Sequence, residues 1–97
     1  MLNKLPQLQK TIVYNGENSI EIIEYINSYI EKNYCESITF DISTLNIIDS
    51  IHVTTLCSTK HYIKYPKGEI RWIVSSTMIQ DLNKDLELGN STYILKQ

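Results

Sequence analysis

Residues 40–56 read FDISTLNIIDSIHVTTL, and the placing of a strand and a helix on either side of this run decides the fold. Upstream, Ile38, Phe40 and Ile42 alternate with Thr39, Asp41 and Ser43. That period of two describes a strand over residues 37–43 with one buried face. Downstream, Val53, Leu56, Cys57 and Ile63 mark the inner face of a helix. Between them TLNII is a short crossover. Asp49 or Ser50 is expected to cap the helix, whose first amides have no acceptor within it. Val53, Thr54, Thr55 and Thr59 are poor helix formers, so packing rather than propensity must hold it.

Working outward, KTIVYN (residues 10–15) is rich in β-branched and aromatic side chains and reads as a strand. Asn15 and Gly16 supply a turn, and Asn18 caps a helix with Glu21 in the capping-box position. Ile22, Ile23, Ile26, Tyr29 and Ile30 recur at helical spacing, with Glu21, Glu24, Asn27, Ser28, Glu31 and Lys32 on the other side. Residues 65–69, YPKGE, form a loop. In IRWIVSS (residues 70–76), Ile70, Trp72 and Val74 share one face of a strand, and Arg71 and Ile73 the other. Ser76 caps a third helix carrying Met78, Ile79, Leu82 and Leu86. The turn LGN (residues 88–90) leads into a last strand, STYILK, over residues 91–96. Strands that alternate with helices define an α/β sheet, with right-handed crossovers where neighbouring strands are parallel.

The chain has 97 residues, room for one domain and one core. Its formal net charge is −2, with acids and bases intermingled, which argues against a nucleic-acid partner. No apolar run is long enough to span a bilayer, so no membrane insertion is expected. The polar start, MLNKLPQLQK, lacks the apolar stretch of a secretory signal, and the expected location is cytoplasmic. Cys35 and Cys57 match no CxxC spacing and read as free thiols. His52 and His61 lie nine residues apart, which does not align them as a metal pair. No glycine-rich phosphate cradle and no GxSxG elbow occurs, and no cofactor is expected. Cys57 and His61 stand four apart on one helix, the only spacing suited to a small thiol-dependent enzyme, but no orienting acid accompanies them. Asp41 and Asp49 read as a solvated strand end and a helix cap.

The run ITFDISTLNIIDS (residues 38–50) resembles the STAS family, the small domains of bacterial anti-sigma factor antagonists that also occur at the ends of sulfate transporters. The family pattern is a strand ending in D-L-S-x-L-x-x-I-D-S, then a helix. A loop with glycine, a strand with small polar residues at its end, a third helix and a turn into a last strand follow. FDISTLNIIDS (residues 40–50) fits the first part and KGEIRWIVSSTMIQDLNKDLELGN (residues 67–90) the second, and the resemblance covers about residues 11–96. It implies a single-domain STAS-like α/β fold: a mixed sheet of four to five strands with three to four helices. It also implies a non-enzymatic protein–protein interaction module, active in signalling and the regulation of transcription.

Phospho-switched members continue D-S-S-G-L or D-S-T-G-L, the acceptor being the residue after the D-S pair. Here that position is Ile51, the following glycine is His52, and Ser50 is left as a second-choice phosphorylation site. Phosphorylation would bring about −1.5 to −2 charge to that surface, and Ile51 keeps it uncharged. The expected partner-binding residues are Asp49, Ser50, Ile51, His52, Thr54 and Thr55. The expected partner is an anti-sigma factor or kinase-like protein. The alternative is a constitutive scaffold subunit of a larger complex, stressosome-like or transporter-associated.

Overall fold

The computed structural model describes residues 8–11, 18–83 and 90–96. Its elements are β1 (Leu8–Thr11), α1 (Ser19–Lys32), β2 (Ser37–Asp41), α2 (Ile47–Lys64), β3 (Glu69–Val74), α3 (Met78–Asn83) and β4 (Ser91–Leu95). The strands form one sheet in the order β1-β2-β3-β4, and every neighbouring pair is parallel. Ile38 pairs with Ile70, and Phe40 with Trp72. Trp72 in turn pairs with Tyr93. The fold is α/β.

Several expectations are corrected here. The sheet is parallel where a mixed one was expected, because a helix-bearing crossover returns the chain to the same end of the sheet before each new strand. Among the described residues the helices are fewer than expected: two are of full length, and α3 is described over Met78–Asn83, the residues that follow it lying outside the described ones. Leu86 and most of the turn at 88–90 lie outside the described residues. The first strand begins earlier than the β-rich run indicated, and residues 12–15 of that run lie outside the described residues as well.

The core forms where α1 and α2 meet the sheet face carrying Ile38, Phe40, Ile70, Trp72 and Val74, all buried. Phe40 stacks on Trp72 with ring centroids 5.3 Å apart and meets the edge of Tyr29 at 6.2 Å. Ile22, Ile23, Ile26 and Ile30 supply the buried face of α1, as their spacing indicated. Each aliphatic side chain removed from water contributes about 1.5–3 kcal/mol. Asn18 caps α1, its side-chain oxygen accepting from the Glu21 amide at 3.0 Å.

The opposite face of the sheet carries a polar network on β2 and β3 beside Ile73 and Ile94. The Arg71 guanidinium donates to Thr39 Oγ1 at 2.8 Å, Glu69 Oε1 at 2.6 Å and Ser37 Oγ at 3.1 Å. Asp41 accepts from the Ser43 amide and hydroxyl and from Lys96 Nζ at 3.1 Å. Thr39, Asp41 and Arg71 are nonetheless buried, so β2 is covered on both faces and not on one. Burial alone would raise the Asp41 carboxyl, but the Ser43 donors and Lys96 outweigh it and hold the group below its ordinary range.

The link from α1 to β2 is held by the last turn of α2. Lys64 Nζ donates to the carbonyls of Ile30, Glu31 and Asn33, which lack helical partners at the end of α1. The Tyr65 hydroxyl donates to the Asn33 carbonyl at 3.3 Å and accepts from the Cys35 amide at 3.0 Å. His61 Nε2 sits 2.8 Å from the Cys35 carbonyl. Gly68 completes the join: a Cβ there would overlap the Glu36 carbonyl oxygen, to which the Glu69 amide donates at 2.8 Å. No helix among the described residues is long and apolar enough to cross a membrane.

Candidate functional site: the amino end and outer face of helix α2

Helix α2 starts three or four residues earlier than the cap expected at Asp49 or Ser50 requires. Asn46 is the N-cap, and its side-chain oxygen accepts from the Asp49 amide at 2.7 Å. Its Nδ2 donates back to Asp49 Oδ2 at 3.1 Å. Asn46 thus satisfies one of the orphan amides, and Asp49 places its charge in the first turn, where the helix dipole favours it. Ile47 and Ile48, read as crossover, are therefore the first two helical residues.

The side of the helix turned to the core also differs from the expected inner face. The buried residues of α2 are Ser50, Val53, Thr54, Cys57, Ser58 and His61. They follow a helical stripe, but four of the six are polar. Each polar side chain has an acceptor or donor near it. Ser50 Oγ lies 3.5 Å from the Leu45 carbonyl, and Thr54 Oγ1 donates to the Ile51 carbonyl at 3.2 Å. Ser58 Oγ accepts from Trp72 Nε1 at 2.8 Å. Leu56 and Ile63, expected inside, are 44% and 72% exposed.

The six expected partner-binding residues therefore divide. His52 is exposed, and its Nδ1 lies 2.9 Å from Ser19 Oγ at the start of α1. Asp49, Ile51 and Thr55 are half-buried, Ile51 packing against the core. Ser50 and Thr54 are fully buried. They offer no atoms to a docked protein, and a kinase reaches the Ser50 hydroxyl only if the helix start opens. The residue that sequence reasoning missed is Ile48, 74% exposed one turn before His52. The signal was present: Ser50, Thr54, Ser58 and His61 share a stripe with Val53 and Cys57, which competes with the apolar stripe through Leu56 and Ile63.

Cys57 and His61 share the buried face but are engaged separately. Burial pushes the Cys57 thiol up to about 12, and its Sγ lies 3.9 Å from the Ile23 carbonyl. Burial also lowers His61 below the ordinary imidazole value, although the Cys35 and Glu36 carbonyls partly oppose this. A carbonyl accepts only, so His61 carries its proton on Nε2, and Nδ1 is buried without a partner. A protonated thiol and a neutral imidazole, both closed to water, do not make an activated nucleophile. Among the described residues no group of three or more His, Cys, Asp or Glu is placed to hold a metal ion.

No protein-family model, no curated protein and no solved structure matches this chain.

Proposed function

We propose that this protein is a non-enzymatic interaction module of STAS type that docks an anti-sigma or kinase-like protein on the amino end of α2. One observation carries the reading. Ile48 stands 74% exposed beside His52, at the β2–α2 junction formed by the FDISTLNIIDS run. Asp49 and Asn46 fix the start of the helix, Ile48 supplies the apolar contact, and His52 and Thr55 form the polar rim. Desolvating one isoleucine contributes at most about 1.5–3 kcal/mol, so the neighbouring residues must share the contact. Ile51 stands in the place of the family's phosphoacceptor and Ser50 is enclosed, so docking on this surface is unswitched at both positions.

The second reading, a constitutive subunit of a larger complex, is favoured by the exposed apolar residues further along α2, Leu56 and Ile63. The two readings separate on nucleotide dependence. Capture of a kinase-like partner that changes with ATP or ADP supports the first; recovery at a fixed ratio in either nucleotide supports the second. Ile48→Asp is expected to weaken capture at least tenfold while leaving the thermal midpoint within a few degrees. Unchanged capture by that variant removes the amino end of α2 as the docking surface. Mass spectrometry after incubation with a serine kinase is expected to find no phosphate on Ser50 of the native chain; robust labelling there restores a phospho-switch.

A further inference from the structure

The last turn of α2 latches the link between α1 and β2, and we propose that a proton taken up by His61 releases this latch while the rest of the fold stays closed. The link, residues 33–36, belongs to no helix or strand, and Cys35 is its one buried residue. His61, Lys64 and Tyr65 stand three and four residues apart, so they reach it from one side of α2. The Tyr65 hydroxyl accepts from the Cys35 amide at 3.0 Å, and His61 Nε2 donates to the Cys35 carbonyl at 2.8 Å. Both polar groups of the Cys35 backbone therefore depend on this turn. Lys64 Nζ and the Tyr65 hydroxyl hold the Asn33 carbonyl, each at 3.3 Å.

His61 is the member of the latch whose charge changes near neutral pH. Its Nε2 already carries a proton, so a second one goes to Nδ1, which is buried with no partner. The cation would then sit in the core with one N–H unpaired. Its surroundings do not relieve it. Lys64, one turn on, repels a second charge, and Glu36 on the link attracts it, but burial outweighs both. Glu31 at the end of α1 is tied to Lys60 at 2.7 Å, and Tyr34 donates to Glu36 at 2.9 Å. Cys57, one turn back, keeps its proton, and the Tyr65 ring lies 5.1 Å away. The inner faces of β2 and β3, with Ile38, Phe40, Ile70 and Trp72, add no titratable group. Water is what remains to solvate the ring, and the link is its way in. Asn33 and Tyr34 are exposed and Glu36 is half-buried, so lifting the link uncovers Cys35 alone. Parting α1 and α2 from the sheet would instead expose the isoleucines and aromatics of the core. The smaller opening comes first. Acid therefore uncovers Cys35 and leaves Cys57, which lies against Ile23 of α1, closed. The latch is at the carboxyl end of α2 and does not depend on docking at the amino end.

Thiol labelling of the native chain from about pH 8 to about pH 5 tests it, each rate being divided by that of a free thiol at the same pH. The Cys35 rate is expected to rise at least about fivefold, and at most about thirtyfold, the limit set by an open-state imidazole near 6.5. At the acid end Cys35 is expected to lead Cys57 by about tenfold or more and to respond little to low urea, while Cys57 labelling climbs with urea. His61→Gln keeps a donor for the Cys35 carbonyl but takes no proton, and it is expected to lose the rise. Equal rates and equal urea dependence at the two thiols mean that acid acts only on the whole fold, and they overturn the proposal. So does a Cys35 rate that stays level across the range, or a rise that His61→Gln retains. The comparison of Cys35 with Cys57 uses the native chain and decides the matter even where the variant fails to fold.

Discussion

A buried imidazole sets how this protein responds to acid. His61 closes the α1–β2 link by donating from Nε2 to the Cys35 carbonyl, and it has no acceptor for a second proton at Nδ1. Its folded-state value lies below the ordinary 6.5, chiefly through burial. The unfolded chain therefore binds a proton first as pH falls, and stability drops from about pH 6.5 downward until the folded value is passed. Denaturant midpoints measured from about pH 8 to about pH 5 are expected to show this decline, and His61→Gln is expected to flatten it. A native profile with no slope over that interval contradicts the buried neutral imidazole. Asp41 has the opposite chemistry and the same sign. Its carboxyl is held down, so its contribution is present above about 3.8 and is lost as pH falls from there through the folded value. The His61 decline sets in from about pH 6.5 and the Asp41 decline from about pH 3.8.

For the elements, the start of α2 matters most. The cap was expected at Asp49 or Ser50, yet Asn46 accepts from the Asp49 amide and defines a helix three or four residues longer at its amino end. Asn46→Ala is expected to cost about 1 kcal/mol, within the usual range of about 0.5–2 kcal/mol for loss of a cap. Ser50→Ala is expected to cost clearly less, because its hydroxyl lies at the 3.5 Å limit from the Leu45 carbonyl and caps nothing. Urea unfolding of the two variants side by side decides this; a larger loss at Ser50 than at Asn46 would return the cap to the later position. Strands β2 and β3 and helix α1 were legible because each has one dominant pattern. Ile38, Phe40, Ile70, Trp72 and Val74 alternate without competition, and Ile22, Ile23, Ile26 and Ile30 form a single stripe. Helix α2 carries two stripes, one apolar and one polar, and helical periodicity does not say which faces the sheet.

The whole molecule resolves that ambiguity. Trp72 needs an acceptor for its indole N–H inside the core, and Ser58 supplies it at 2.8 Å. The Cys35 carbonyl needs a donor, and His61 supplies it. Once these pairings are made, Ser50, Thr54, Cys57 and Ser58 turn inward together and Leu56 and Ile63 turn out. An unpaired buried N–H costs about 1–3 kcal/mol, comparable to what one more buried leucine would contribute. Both cysteines are sealed by the same packing. A thiol reagent is therefore expected to label neither Cys35 nor Cys57 faster than the native state opens, with full labelling in denaturant. One thiol reacting at the rate of a free model thiol would reopen the thiol-dependent reading of Cys57 and His61.

What the sequence by itself determined is the α/β alternation, the apolar faces of β2, β3 and α1, and the Asn18 cap. In each, local spacing and capping chemistry point to one answer. What only the tertiary structure decided is the parallel order of the sheet, the Asn46 cap and the outward face of α2. The strand order follows from the crossovers, and the face of α2 from buried donors and acceptors far apart in the chain; the Asn46 cap is a local pairing with Asp49 that the neighbouring Asp49 and Ser50 obscured in the sequence. For the residues expected at the candidate site the same division holds: that they open a helix at the end of the FDISTLNIIDS run was readable, while the exposure of Ile48 and the enclosure of Ser50 and Thr54 followed from how α2 turned to satisfy Trp72 and the Cys35 carbonyl.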